Sequence, residues 1–225
     1  MKQFLKNNFA VFLLYSVLLI IALSVLLNFE KITVHIYLNQ FVGNKFLDTF
    51  FYYITYLGDG LAAPFLLLLI LIYNLRLGIF STISFLSATI TSQILKHCFF
   101  DDVNRPSYIF QWIYRHPIRY VEGVYEYLHN SFPSGHATQA FSIFMCLVFF
   151  TKNKYLKLLF FFIALLTSIS RVYLSQHWLG DVTAGSIIGM FFSVLFYYVI
   201  VEKNKLGNLN KPLSTLKNSD NRLEK

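Results

Sequence analysis

Charge is what this chain has least of. Only 13% of its 225 residues are Asp, Glu, Lys or Arg, about half the share found in an average soluble domain. Cysteine is nearly missing as well. Cys98 and Cys146 fall in or beside apolar segments and make no metal-like spacing, so they read as two small buried hydrophobes, without a disulfide and without information on redox compartment. No cluster of Cys or carboxylates accompanies the histidines, which leaves a metal site unsupported. No small-x-small cleavage pattern follows the first apolar run at Asn28-Phe29-Glu30-Lys31, which argues against a removed signal peptide. Internal repeats and domain-separating linkers are absent, so residues 1–202 read as a single membrane-embedded domain and 203–225, rich in Asn, Lys and Ser, as a polar, disordered tail.

What fills the chain instead is apolar. Hydrophobic residues make up 56%, with 25 Phe and 15 Tyr, more than a water-soluble domain can hide. Long uncharged runs predict an all-α, polytopic membrane protein, a bundle of six transmembrane helices. The expected spans are about 9–28, 59–74, 78–98, 135–151, 156–175 and 180–201. Pro64 sits near the start of the second, where a proline costs little. Before it, Phe46, Leu47, Phe50, Phe51 and Ile54 recur at helical spacing with Tyr52, Tyr53 and Tyr56 among them. That pattern predicts a helix lying at the membrane interface, ended by Gly58-Asp59-Gly60. Gly185 and Gly189, four apart in the last span, favour close helix contact in lipid.

The few charges orient the bundle. With the N-terminus inside, the inner segments hold Lys2, Lys6, Arg76, Lys152, Lys154, Lys157 and the basic residues of the tail. The outer segments hold Lys31, Lys45, Lys96, Arg105, Arg115, Arg119 and Arg171. The bias toward the inner side places both termini in the cytoplasm. It also accounts for most of the net charge of +8, so no nucleic-acid partner is needed.

Three polar groups interrupt the apolar chain, and this topology puts all three on the outer face. They are Lys96 followed by Arg105-Pro106, then Pro133-Ser134-Gly135-His136, then the stretch from Ser170 to Asp181 with Arg171 and His177. Charge at such positions is expensive and calls for a reason. Lys96, Arg105 and Arg171 are three cations suited to phosphate oxygens. Ser134 and Gly135 open a helix whose free N–H groups would face an anion, and Gly135 would let the backbone come close. His177 and Asp181, four apart, share a helix face if the last span begins near His177. Asp181 would then orient one ring nitrogen and leave the other as a nucleophile. His136, from another helix, supplies a second imidazole for the leaving oxygen. His35, His97, His116 and His129 have no patterned partner and read as interfacial or loop residues. Arg115, Arg119, Glu122 and Glu126 form either a solvated face or a contact to a substrate head group.

With these residues in place, the chain resembles the type 2 phosphatidic acid phosphatase family of membrane lipid phosphatases, over about residues 30 to 200. The family pattern is Lys-x6-Arg-Pro, Pro-Ser-Gly-His and Ser-Arg-x5-His-x3-Asp. The second part is present as Pro133 to His136, and the third as Ser170, Arg171, His177 and Asp181. The first part departs from it: eight residues separate Lys96 from Arg105, and the family's Lys position falls on Cys98. The resemblance implies attack by His177 to give a phosphohistidine, orientation by Asp181 and protonation of the leaving group by His136. It implies that Lys96, Arg105, Arg171 and the Ser134-Gly135 amides hold the phosphate, with no metal or other cofactor. It also implies a bacterial cytoplasmic membrane location with the site on the periplasmic side. Undecaprenyl diphosphate, phosphatidylglycerophosphate, phosphatidic acid and lipid A are candidate substrates. A non-catalytic lipid-phosphate binder or transporter, a lipid phosphotransferase and a vanadate-dependent haloperoxidase are the rival readings.

Overall fold

The computed structural model describes residues 2–203 and 206–213. Among them the regular structure is entirely helical. A short helix α1 (Lys2–Asn7) leads into α2 (Phe9–Asn28), then α3 (Lys31–Asn39), α4 (Lys45–Ile54), α5 (Ala62–Tyr73) and α6 (Leu75–Ile94). After α7 (Pro106–Tyr108) come α8 (Gly135–Phe150), α9 (Lys154–Tyr173) and α10 (Leu179–Phe196). The last turns of α6 (Leu95–Phe99) and of α10 (Tyr197–Glu202) are π-helical.

The centre of the bundle is α8. Twelve of its sixteen residues are buried, and α6, α9 and α10 pack around it. Phe141, Phe149, Phe161 and Met190 form the main core, joined from the N-terminal region by Phe4 and Val11. Along α2 only Val11 is buried. A helix apolar on every face with so little protein contact belongs against lipid. Where α10 crosses α8, Gly185 and Gly189 let the backbones nearly touch. A Cβ on Gly185 would lie 2.6 Å from the Ser134 carbonyl oxygen, and one on Gly189 would lie 2.6 Å from that of Thr138. Buried hydroxyls tie the same layer together: Ser193 Oγ donates to the carbonyl of Ser142 (3.1 Å), a common contact between helices in lipid.

Among the described residues four helices are long and apolar enough to cross a membrane alone: Phe9–Asn28, Leu75–Phe99, Lys154–Tyr173 and Leu179–Glu202. The expected six are therefore not all full-length spans. The twelve residues of α5 reach only about 18 Å, against a hydrocarbon core of about 30 Å. Lys45–Gly58 and α5 meet at 64° and together have the length and composition of a broken span or of a re-entrant loop; counted as one span the pair brings the total to five. The sixteen residues of α8 reach about 24 Å, also short of the full thickness. The reason is positional. The helix at the middle of the bundle is walled by protein, so its N-terminus can stop inside the fold, at the polar site.

Two smaller expectations change. Cys146 is buried but Cys98 is exposed, because the π-turn at the end of α6 points it away from the bundle. In the tail, Leu75 N–H donates to the carbonyl of Lys211 and Leu213 N–H to that of Ile72. Residues 206–213 thus lie against the α5–α6 turn. The remainder of the tail, where disorder was expected, falls outside the described residues.

Candidate phosphate site at one end of the bundle

The N-terminal ends of α5, α8 and α10 and the C-terminal ends of α6 and α9 converge at one end of the bundle. The geometry there starts from the break between α9 and α10. After Tyr173 the chain turns back on itself, so the N–H groups of Gln176 and His177 both donate to the Arg171 carbonyl (2.9 and 3.1 Å). Trp178 caps α10, and the Asp181 carboxylate folds back to accept from Trp178 N–H (3.0 Å). The same oxygen, Oδ2, receives His177 Nδ1 at 3.3 Å and the Ser131 hydroxyl. His177 therefore precedes α10 rather than starting it, and the pairing with Asp181 comes from the capping turn. The Asp181 backbone carbonyl accepts from Ser134 N–H (3.0 Å), which locks this turn to the start of α8.

At that start, Ser134 is the N-cap, its hydroxyl oxygen facing the N–H of Ala137. Its N–H and carbonyl are both engaged, so the amides left for a ligand are those of Gly135 and the first turn. A Cβ added at Gly135 would meet nothing within 4 Å, which marks open space at the helix N-terminus. One residue on, His136 Nε2 lies 3.6 Å from Asp59 Oδ2.

The three cations gather around this point. Arg171 is buried; Nη1 donates to Thr55 Oγ1 (2.9 Å), while Nε has no hydrogen-bond partner among the described residues. Arg105 is held by carbonyls, with Nε on His129 (2.8 Å) and Nη1 on Gln176 (3.1 Å), and it lies over the Tyr127 ring. Burial lowers its pKa to about 10, with Asp181 and Tyr127 opposing. Lys96 is buried in the π-turn, within electrostatic reach of Arg105, Asp181 and Arg171. A π-turn carries an extra residue per turn. The wide turn and the loop after it absorb the eight-residue spacing and still bring Lys96 to Arg105. Among the described residues two carboxylates, Asp181 and Asp59, face these three cations. That leaves an excess of positive charge and one buried Arg donor unused; an anion would meet both needs.

Burial, and then the charges of Arg105, Arg171 and Lys96, hold the His177 imidazole well below its usual pKa. A neutral ring with Nδ1–H on Asp181 leaves Nε2 with its lone pair. An open cleft of about 260 Å³ leads in from outside, walled by Tyr52, Tyr56, Tyr125 and Tyr127, with Asp59, His136 and Arg171 on its lining. Lys96, Arg105 and His177 are buried and do not line it.

The residues expected to catalyse or to hold phosphate, Lys96, Arg105, Ser134, Gly135, His136, Arg171, His177 and Asp181, thus fall in this one region, whereas the charged residues of the outer loop do not. Arg119 donates to the carbonyls of Gln40 and Val42 and ties the outer loop to the α3–α4 turn. Glu126 pairs with Gln111 on the surface. His35 is not interfacial but buried, between Phe110 and Trp178, with Nε2 3.1 Å from Ser175 Oγ. Sequence reasoning missed Ser131, Asp59 and the tyrosine walls. Asp59 had been visible only as a helix breaker, and Ser131 stands three residues before the Ser134 cap without a pattern of its own.

A helical membrane fold with imidazoles, cations and a helix N-terminus around one pocket defines a phosphoryl-handling class, and known proteins narrow it. Residues 76–205, more than half of the chain, match the PAP2 superfamily, and the chain belongs to that family. It is 37% identical over 68 residues to a lipid A 4'-phosphatase of Bacteroides thetaiotaomicron, a match spanning 30% of either chain. The fold is similar to the crystal structure of Aquifex aeolicus LpxE, with a TM-score of 0.65 and 25% identity over 75% of this chain and 96% of that one. It is also similar to a PAP2-type phosphatidylglycerolphosphate phosphatase from Bacillus subtilis. There the TM-score is 0.58 and the identity 23%, over 86% and 95% of the two chains.

Proposed function

We propose that this protein is a bacterial integral membrane phosphatase that removes a phosphate monoester or diphosphate from a lipid, through a phosphohistidine intermediate and without a metal. The observation that carries the reading is the convergence of the Asp181-paired His177, the second imidazole His136 and the cations Lys96, Arg105 and Arg171 around the free start of α8. A site that only bound or carried a lipid phosphate would need the cations but not the oriented imidazole.

In the first step the Nε2 lone pair of His177 attacks phosphorus, and the bond from phosphorus to the lipid oxygen breaks. His136, which burial and the nearby cations keep neutral in the empty site, takes up a proton when the dianionic phosphate binds beside it and gives that proton to the leaving oxygen. Asp181 stabilises the positive charge that develops on the His177 ring. Arg171, Arg105, Lys96 and the Gly135 end of α8 hold the non-bridging oxygens, whose charge is dispersed in the transition state. In the second step neutral His136 takes a proton from water as the water attacks phosphorus. The P–N bond breaks, inorganic phosphate leaves, and both imidazoles return to their starting state. The excess of Lys and Arg on the opposite end supports a periplasmic cleft with both termini in the cytoplasm. The likeness to a lipid A 4'-phosphatase puts a lipid A phosphate first among substrates to test, ahead of phosphatidylglycerophosphate, undecaprenyl diphosphate and phosphatidic acid.

The test is phosphate release by purified protein in detergent, with a chelator present, across these four lipids. Activity on at least one is expected, with loss by at least about 1,000-fold in His177→Ala. A labelled, acid-labile phosphoryl-enzyme should form in the wild type and not in the variant. Full activity in His177→Ala would overturn the mechanism, and complete loss to the chelator would overturn metal independence. Phosphate passed to an acceptor other than water would make the protein a transferase.

A further inference from the structure

At the other end of α8, about 21 Å from His136 by helix rise, lies a second polar cavity that the phosphatase reading does not use. Its volume is about 530 Å³, within the usual range for small-ligand sites. Arg76, Lys152 and Lys157 line it, with Asn7, Asn8 and Asn210, and no Asp or Glu is among the described lining residues. Lys152 is exposed at the rim, an ordinary surface cation, but the other two are built in. Arg76 and Lys157 are each 7% exposed. Arg76 Nη2 holds the last carbonyls of the α10 segment, those of Ile200 and Val201 (3.0 and 2.8 Å), but its buried Nε has no partner among the described residues. Lys157 Nζ donates to Asn8 Oδ1, one acceptor for an ammonium that carries three donors. Asn8 is itself buried and fixed through Nδ2 to the Phe4 carbonyl (2.9 Å). Tyr197 and Phe149 supply an apolar wall beside the cations.

We propose that this cavity is a second anion site, which takes the phosphate ester of an anionic phospholipid from the leaflet opposite the cleft. Buried cationic groups with unused donors are costly, and a phosphodiester would take the spare donors of Lys157 and Arg76, with Lys152 closing over it from the rim. The apolar wall suits the start of an acyl chain. Basic pockets between helices at a membrane face recognise lipid head groups in this way. The site is independent of the hydrolytic reading: it would stand even if the outer cleft proved only to bind lipid.

The experiment is lipid retention by native mass spectrometry of the whole protein, purified in neutral detergent and given phosphatidylglycerol or phosphatidylcholine. The wild type should keep one phosphatidylglycerol and not phosphatidylcholine. The double variant Lys152→Gln/Lys157→Gln should retain at least tenfold less, whereas Lys157→Arg should retain it as the wild type does. Thermal melting without lipid checks that each variant is folded; if the double variant is not, Lys152→Gln alone is read, with a partial loss expected. Equal retention by folded variants, or equal retention of the two lipids, would overturn the proposal. Stabilisation by inorganic phosphate alone, abolished by the same variants, would keep the anion site but make free phosphate its occupant.

Discussion

Gly185→Ala should uncouple the two halves of the outer site while leaving every polar side chain in place. A Cβ there would lie 2.6 Å from the Ser134 carbonyl oxygen, 3.0 Å from Ala137 Cβ and 3.1 Å from Thr138 Oγ1. The carbonyl contact is about 0.8 Å short of the 3.4 Å at which ordinary contact begins. Backbone cannot rotate out of the way, so α10 must back off from the start of α8 by most of an ångström. Asp181 is one turn before Gly185, and its carbonyl holds Ser134 N–H. The displacement therefore opens the distance between the His177–Asp181 pair and the Ser134–His136 segment. Overpacking of this kind costs about 1–3 kcal/mol in stability. A misplacement of about 1 Å between reacting groups costs about 100-fold in rate. Gly189→Ala is the matched control. Its Cβ would meet the Thr138 carbonyl oxygen at the same 2.6 Å and Phe141 Cβ at 2.7 Å, but one turn further from the chemistry. Gly189→Ala, which also meets Ser142 N at 2.8 Å, should lose at least as much stability in thermal melts as Gly185→Ala. kcat on the preferred lipid should fall about 100-fold in Gly185→Ala and less than about tenfold in Gly189→Ala. Equal kcat losses in the two, or a folded Gly185→Ala within twofold of the wild type, would refute this account of how the site is held together.

Other outcomes follow from single contacts. His136→Gln should slow release of a lipid alkoxide by about 100-fold or more, but an activated p-nitrophenyl phosphate much less, because only the poor leaving group needs a proton. Asp59→Asn should show a milder form of the same selectivity, since Asp59 Oδ2 faces His136 Nε2 at 3.6 Å; a uniform loss on both substrates would count against a proton-handling role. His35 gives a test by pH. Burial lowers its pKa to about 4, against an ordinary value of about 6.5. Between those values the unfolded chain holds a proton that the folded chain does not, so stability falls as pH drops from 6.5 toward 4, by about 2 kcal/mol at pH 5. His177 adds to the same trend. Melting His35→Gln and wild type at pH 7.5 and pH 5 should show a smaller acid loss in the variant, and identical losses would rule out the buried neutral ring.

What could be read in advance, and what could not, follows from where the information sits. The spans are written in composition, because lipid demands long uncharged helices and punishes exceptions. Arg171, His177 and Asp181 stand out for the same reason, as charge where charge is costly. The length of α8 could not be read that way. Its N-terminus is enclosed by protein rather than lipid, so the bilayer thickness does not set it. Ser131 and Asp59 were illegible because a serine following an asparagine in a loop and an aspartate between glycines have ordinary turn-forming reasons to be there. Only the folded chain brings them onto Asp181 and His136. Lys96 is the instructive case. Counting residues measures distance along a regular helix, and by that measure Lys96 stands two places from where a Lys-x6-Arg pattern would put it. The end of α6 is a π-turn, in which residue number and position advance at a different rate. The cation therefore reaches the cluster with Arg105 and Arg171 from a place the pattern does not allow. For this family the quantity to compare between sequences is which lysine the last turn of this helix carries into the cluster, not how many residues precede the arginine.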